Sequence, residues 1–128
     1  MPHKVLDVGQ CVPDHAAIRR LIEGTFGAQV RQTHGPTDTL AAMRQEPFDL
    51  VLINRKLDAD YSDGMDILQA IKADPQLSAT PVMLVTNYAE HQQLAIAAGA
   101  EPGFGKAQLT SPTTLERLGR FLPVARDA

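Results

Sequence analysis

Tryptophan is absent, and four Phe with two Tyr bring aromatics to only 5% of the 128 residues. A folded core must therefore come from Leu, Ile, Val, Met and Ala. One cysteine, Cys11, excludes an internal disulfide and fits a reducing compartment. Positive charge is not in surplus: 12 Lys and Arg stand against 15 Asp and Glu, a net charge of -3. That balance offers no electrostatic footprint for nucleic acid. No apolar run approaches the length of a membrane span. The opening MPHKVLDVGQ carries one Lys and then a strand-like segment, unlike a signal peptide. His3, His15, His34 and His91 are scattered without metal-ligand spacing and are expected at the surface. The glycine pair of PGFGK is not followed directly by a helix N-terminus, so the usual glycine-rich loop for a nucleotide or flavin is missing. What remains is a single domain spanning residues 1–128, expected to be soluble and cytoplasmic, standing alone or within a larger protein.

What is present alternates between two patterns. KVLDV (Lys4–Val8) reads as a strand, and Pro13-Asp14 opens a helical stretch with Ile18, Leu21 and Ile22 at i, i+3, i+4 spacing. Gly24 and Gly27 are expected to end it. AQVRQT (Ala28–Thr33) alternates as an edge strand should, and a short helix over Thr37–Gln45 stops before Pro47. FDLVLIN is nearly continuously apolar, which suits a central strand covered on both faces. Asp63-Gly64 precedes a third helix, which Asp74-Pro75 breaks. TPVMLVT (Thr80–Thr86) is a second buried strand. Glu90–Ala98 is helical with Leu94, Ala97 and Ala98 on one side. PGFGK (Pro102–Lys106) is a poor strand, and Ser111-Pro112 caps a last helix through Leu122. Strand and helix thus repeat five times. The expected fold class is α/β, a flavodoxin-like (βα)5 doubly wound parallel sheet of order 2-1-3-4-5. Ligand chemistry in such sheets belongs at the carboxyl ends of the strands, here Gly9-Gln10, Asn54, Thr86-Asn87 and Lys106.

At those ends the sequence resembles the receiver domain of bacterial response regulators, over roughly Lys4 to Leu122. KVLDV is similar to the family's first strand. Asn54 ends the third strand where the family has its phosphate-accepting Asp. DGMDIL is similar to the Asp-Gly that begins the third helix. PVMLVT is similar to the fourth strand with its terminal hydroxyl, Thr86. AAGAEPGFGK is similar to the run that leads to the family's Lys, here Lys106. The resemblance implies a two-component signalling module of the phosphorelay type and no enzyme activity.

The departures fall on the active positions. Gly9 and Gln10 stand where the family has an acidic pair, and Asn54 stands for the acceptor Asp. Gly103 occupies the aromatic switch position, Asp58 replaces a Pro, and Ala107 replaces the Pro after the Lys. Thr86 and Lys106 alone are retained. Phosphoryl transfer needs an anionic oxygen nucleophile and a divalent cation to spread the developing charge. An amide oxygen is neutral, and Mg²⁺ prefers anionic oxygens. The sequence therefore implies a degenerate, pseudo-receiver type: no phosphorylation, no Mg²⁺, no metal, and function through protein–protein contact. The resemblance places the partner face on the fourth helix, fifth strand and fifth helix, about Glu90 to Leu122, with a homodimer as one use of it.

Two other readings stay open. A working receiver would need a displaced acceptor such as Asp58, although Asp58, Asp60 and Asp63 also read as a solvated acidic loop with Asp63 as a helix cap. The fold also supports a small-molecule-binding flavodoxin-like domain. Asp7 falls inside a buried strand and needs a partner. Lys106, facing neutral neighbours, is expected to turn to water or to reach Asp58 or Asp60.

Overall fold

Every residue of LVLIN in the third strand is inaccessible or nearly so, as a strand covered on both faces requires. Residues 2–123 are described in the computed structural model. The strands are β1 (Lys4–Val8), β2 (Gln29–Thr33), β3 (Leu50–Asn54), β4 (Val82–Val85) and β5 (Glu101–Phe104). All pair in parallel, in the order β2-β1-β3-β4-β5. The connecting helices are α1 (Val12–Leu21), α2 (Pro36–Gln45), α3 (Gly64–Ala73), α4 (Ala89–Ala97) and α5 (Pro112–Gly119). The expected flavodoxin-like topology is what forms.

The period-2 alternation of the strands divides the core in two. Leu6, Val8, Val51, Ile53, Val82 and Leu84 face α2, α3 and α4. Val5, Leu50, Leu52, Met83 and Val85 face α1 and α5. Aliphatic side chains do nearly all of this packing, with Phe48 on one side and Phe26 and Phe104 on the other.

Three local expectations change. The first helix passes through Gly24: α1 widens into a π-helical segment, Ile22–Phe26, and Gly27, at φ 65, ends it in the left-handed region. α4 buries Ala95, while Leu94 and Ile96 are exposed. The cause is Gln92, whose amide reaches into the sheet and so turns the Gln92–Ala95–Ala98 stripe inward. The regular part of α5 ends at Gly119, and Leu122 is buried beyond it. Its Ser111 cap is as expected, accepting from the Thr114 amide at 3.2 Å.

Asp7 faces α1 from the middle of the sheet and is fully buried. Its partner is His15, one turn into α1, with Nδ1 2.6 Å from Asp7 Oδ2. His15 is therefore half-buried in a polar contact, not at the free surface. The other carboxylate oxygen of Asp7 makes no hydrogen bond. Gln10 lies near enough to be felt electrostatically, yet its amide makes no hydrogen bond of good geometry either. Burial pushes the Asp7 carboxyl from 3.8 up to about 6, against the opposing pull of His15, Gln10 and Lys106.

A carboxyl raised in the folded state contributes most at low pH, and that contribution fades as pH rises through about 6. Asp7→Asn removes the titration. The unfolding free energy of the variant relative to the parent should move in the variant's favour by up to roughly 3 kcal/mol between about pH 4 and about pH 7. Urea denaturation across that range measures it, and a flat difference would contradict the burial argument.

Candidate functional site

The site is organised by a turn after β1. Gly9 sits at φ 76, and a Cβ there would overlap the side chain of Leu57. Its amide donates to Thr33 O at 2.9 Å. Its carbonyl accepts twice, from Asn54 Nδ2 at 3.0 Å and from the Asp58 amide at 3.0 Å. A carbonyl can only accept, so the amide nitrogen of Asn54 must be the atom that faces it. Asn54 is buried at the end of β3 and ties the third strand and its loop to the first.

The start of α3 closes on the same point. Asp63 caps the helix through the Met65 amide at 2.9 Å, as expected from the sequence. Gly64 follows because its backbone runs against Asn54: a Cβ there would overlap the Asn54 carbonyl. The Gly64 amide donates to Arg55 O at 2.9 Å. Within the loop, Asp60 accepts from the Ser62 amide and hydroxyl, and Asp58 approaches His34 Nδ1 at 3.7 Å. Asp58 thus points toward the β2 side, away from Lys106 and Thr86.

At the end of β4, Thr86 is buried, its hydroxyl 3.2 Å from His91 Nδ1 and within 3.3 Å of the Tyr88 amide. Asn87 Oδ1 accepts from the Ala107 amide at 3.1 Å. Lys106 does turn from the neutral pocket to a carboxylate, but to Asp14 on the first turn of α1, at 2.7 Å. The expectation of Asp58 or Asp60 is wrong because Asp58 turns toward His34 and Asp60 is bonded to Ser62, whereas Asp14 is presented directly to Lys106. The hydrogen-bonded ammonium holds the Asp14 carboxyl below its usual range.

A cleft of about 430 Å³ opens between these strand ends. Asn54, Thr86 and Lys106 line it, as the sequence predicts. So do Arg55 and Lys56 beyond β3, and Asn87, Tyr88 and His91 beyond β4. Gln10 does not reach it, being fully buried on the inner side near Asp7. Gly103 is not part of it and lines a neighbouring depression between α4 and α5.

Gly103 marks an irregularity in the sheet. Two residues of β5, Pro102 and Gly103, stand opposite the single Leu84 of β4, since Met83 pairs with Glu101 and Val85 with Phe104. The Gln92 side chain fills the gap. Its Nε2 donates to Leu84 O at 2.9 Å and its Oε1 accepts from the Gly103 amide at 2.9 Å. A side-chain amide thus stands in for a backbone pairing, and Arg117 donates to the Gly103 carbonyl from the other side. A Cβ at residue 103 would overlap Leu84 O. No aromatic side chain fits there without remodelling the junction.

Residues 11–107 match the response regulator receiver domain. The chain belongs to that family. Several solved structures agree on the fold. A response regulator described as putative, from Chloroflexus aurantiacus J-10-fl, superposes with a TM-score of 0.76 at 16% identity, covering 94% of this chain and 98% of that one. The chemotaxis protein CheY4 of Vibrio cholerae gives 0.73 at 22% identity, covering 95% and 100%. The signal receiver domain of a DNA-binding response regulator, merR, from Colwellia psychrerythraea 34H gives 0.76 at 21%, covering 92% and 95%. This receiver domain is thus a two-component response regulator module.

Several side chains that shape the receiver's site escape the sequence reading. Asp14 carried a signal, a carboxylate one helical turn beyond Gln10 near the entry to α1. Arg55 and Lys56 follow Asn54 directly. Gln92 had no signal, because its role depends on the irregular pairing of β5.

Asn54→Asp would replace a donor with an acceptor against the Gly9 carbonyl. Any gain from a half-exposed Lys106 or Arg55 is small, since exposed ion pairs contribute about 0–1 kcal/mol. Losing the buried bond costs about 1–3 kcal/mol. Asn54→Asp should therefore destabilise the domain near pH 7. Denaturation midpoints of variant and parent at that pH decide it, and a more stable variant would contradict the assignment.

Proposed function

We propose that this receiver domain signals without aspartyl phosphorylation, through protein–protein contacts. The observation that carries this reading is the Asn54 side chain bonded as a donor to the Gly9 carbonyl. That position presents no anionic oxygen to a phosphodonor. The flanking acid positions support the same reading. Gly9 is held in a left-handed turn that disfavours Asp, and the Gln10 side chain is buried away from the cleft.

The Mg²⁺ that the family uses does not fit the groups gathered here. The cleft is lined by amides, a hydroxyl and cationic side chains, with no carboxylate among its lining residues. A hard cation that dehydrates reluctantly gains little from such donors beside Arg55, Lys56 and Lys106. Mg²⁺ at millimolar concentration should leave the melting temperature unchanged, and Asn54→Asp alone should not create a site.

The partner face in this reading comprises α4, β5 and α5. Leu94 and Ile96 leave aliphatic surface on the two flanks of α4, 58% and 44% exposed. Gln92 and Arg117 brace the strand beneath. A working receiver with Asp58 as acceptor is the competing reading. It is weakened by the direction of that side chain, toward His34 and not toward Lys106.

Incubation with Mg²⁺ and acetyl phosphate followed by intact-mass measurement tests the first part. No phosphoryl addition is expected, and a stoichiometric, base-labile addition would overturn the reading in favour of Asp58. The second part predicts that Leu94→Glu and Ile96→Glu abolish the complexes the parent domain forms. Stability should change by no more than about 0.5 kcal/mol, as for surface sites generally. Asn54→Ala should keep those complexes, and the reverse pattern would move function from the face to the cleft.

A further inference from the structure

Three polar atoms beneath the start of α1 are buried with no hydrogen-bond partner among the described residues: Asp7 Oδ1, Gln10 Oε1 and Gln10 Nε2. Asp7 and Gln10 are both fully buried, and neither lines the cleft at the strand ends. The other oxygen of Asp7 is taken by His15 Nδ1 at 2.6 Å. The His15 side chain is 15% exposed and lines a groove between α1 and β2 with Arg19, Arg20, Glu23 and Gln32. The imidazole thus stands between the buried carboxyl and solvent. The charges felt at Asp7 are His15 from α1 and Lys106 from the segment after β5. Its register neighbours on β2 and β3, Gln32 and Leu52, are uncharged, and α5 brings Leu118 to this layer. Lys106 is itself bonded to Asp14, the residue before His15. The first turn of α1 is therefore tied down by two acid–base contacts, one of which ends on a buried carboxyl.

We propose that Asp7, Gln10 and His15 form a proton-reading relay that sets how the start of α1 sits on the sheet. With Asp7 ionised, its free oxygen needs a donor, which the Gln10 amide supplies through Nε2–H. With Asp7 neutral, the same oxygen becomes an O–H donor and needs an acceptor, which Gln10 supplies through Oε1. The two ends of a glutamine amide are nearly identical in shape, so one rotation exchanges them within the same packed volume. A buried polar group left unpaired is costly, so each protonation state selects one amide orientation. Burial favours the neutral carboxyl and His15 the ionised one, which puts the exchange at about pH 6. A fall in pH through that value neutralises Asp7 and turns Oε1 toward it. Gln10 is followed by Cys11, the residue that precedes α1, and its carbonyl accepts from Gln32 Nε2 at 3.1 Å. The rotation is thereby passed to the helix start that carries Asp14 and His15, and through Asp14 to Lys106. This relay lies outside the cleft and goes beyond the reading that the domain signals without phosphorylation.

The test is an NMR titration of the ¹³C,¹⁵N-labelled domain between about pH 4.5 and about pH 8. It follows the Asp7 carboxyl carbon, the Gln10 side-chain amide and the backbone amides of residues 10–15. All three are expected to move with one midpoint. Asp7→Asn should remove that step from Gln10 and from residues 10–15, leaving the ring signals of His3, His34 and His91 as in the parent. His15→Gln should raise the midpoint, because the imidazole opposes the effect of burial. Gln10→Leu should keep the carboxyl step and lose the backbone response at residues 12–15. The carboxyl carbon and the Gln10 amide are read in the parent protein, so the proposal can fail even where a variant does not fold. A Gln10 amide that stays still across that pH range would overturn it. So would a step that survives Asp7→Asn, or an undiminished α1 response in Gln10→Leu.

Discussion

The Gly9 carbonyl, accepting from Asn54 and from the Asp58 amide, is the constraint around which this receiver's site is built. It is buried, and a buried acceptor left unpaired is costly. Meeting that requirement with a side-chain amide fixes the rest. Gly9 must adopt a left-handed turn to aim the carbonyl, which excludes a side chain against Leu57. The loop after β3 is drawn in by the Asp58 amide. Gly64 then lies against the Asn54 backbone, which only glycine permits. The β1–α1 and β3–α3 loops thus meet on one polar contact.

Charge has been rearranged with the same consequence. Lys106 finds its carboxylate on α1 and Arg55 finds one at the cap of α3, so the cations are balanced from outside the cleft. Neither pair is deeply buried, and each contributes little to stability in water. Their effect is positional. Asp7, the one fully buried acid among the described residues, does not line the cleft and is held instead by His15. Its raised pKa follows from desolvation that one short contact offsets only in part.

The sheet order and both layers of helices were legible because they rest on periodicity. LVLIN and VMLV can only be central strands, and QVRQT can only be an edge. Asn54, Thr86 and Lys106 were legible as strand ends, a position that topology dictates. The partners of those residues were not. Lys106 to Asp14 joins opposite ends of the sequence across an α1–β5 approach that no local pattern encodes. The inward face of α4 was misread for the same kind of reason. Leu94 looks like a core residue until Gln92, through two hydrogen bonds to neighbouring strands, sets the helix rotation. Propensity ranks side chains by hydrophobicity, and a satisfied buried amide outweighs one leucine.

That clamp also opposes a switching movement of α4 against the β4–β5 junction. A switch needs two arrangements of similar free energy. Here the irregular β4–β5 pairing is satisfied by Gln92 on one side and by Arg117 on the Gly103 carbonyl on the other. Rotating α4 would break both Gln92 bonds at once and leave the Leu84 carbonyl and the Gly103 amide unpaired. Each orphaned group costs about 1–3 kcal/mol. The alternative arrangement is thus disfavoured by several kcal/mol unless something new satisfies those groups. Adding an aromatic at residue 103 cannot supply that, because its Cβ would occupy the space of the Leu84 carbonyl. Gly103 is therefore packed separately from Gly9 and Asn54, which are bonded to each other. Reinstating any one side chain meets a steric or polar conflict that the other two do not relieve. Their effects on stability should consequently be close to additive between residue 103 and the coupled pair of 9 and 54, and non-additive within that pair.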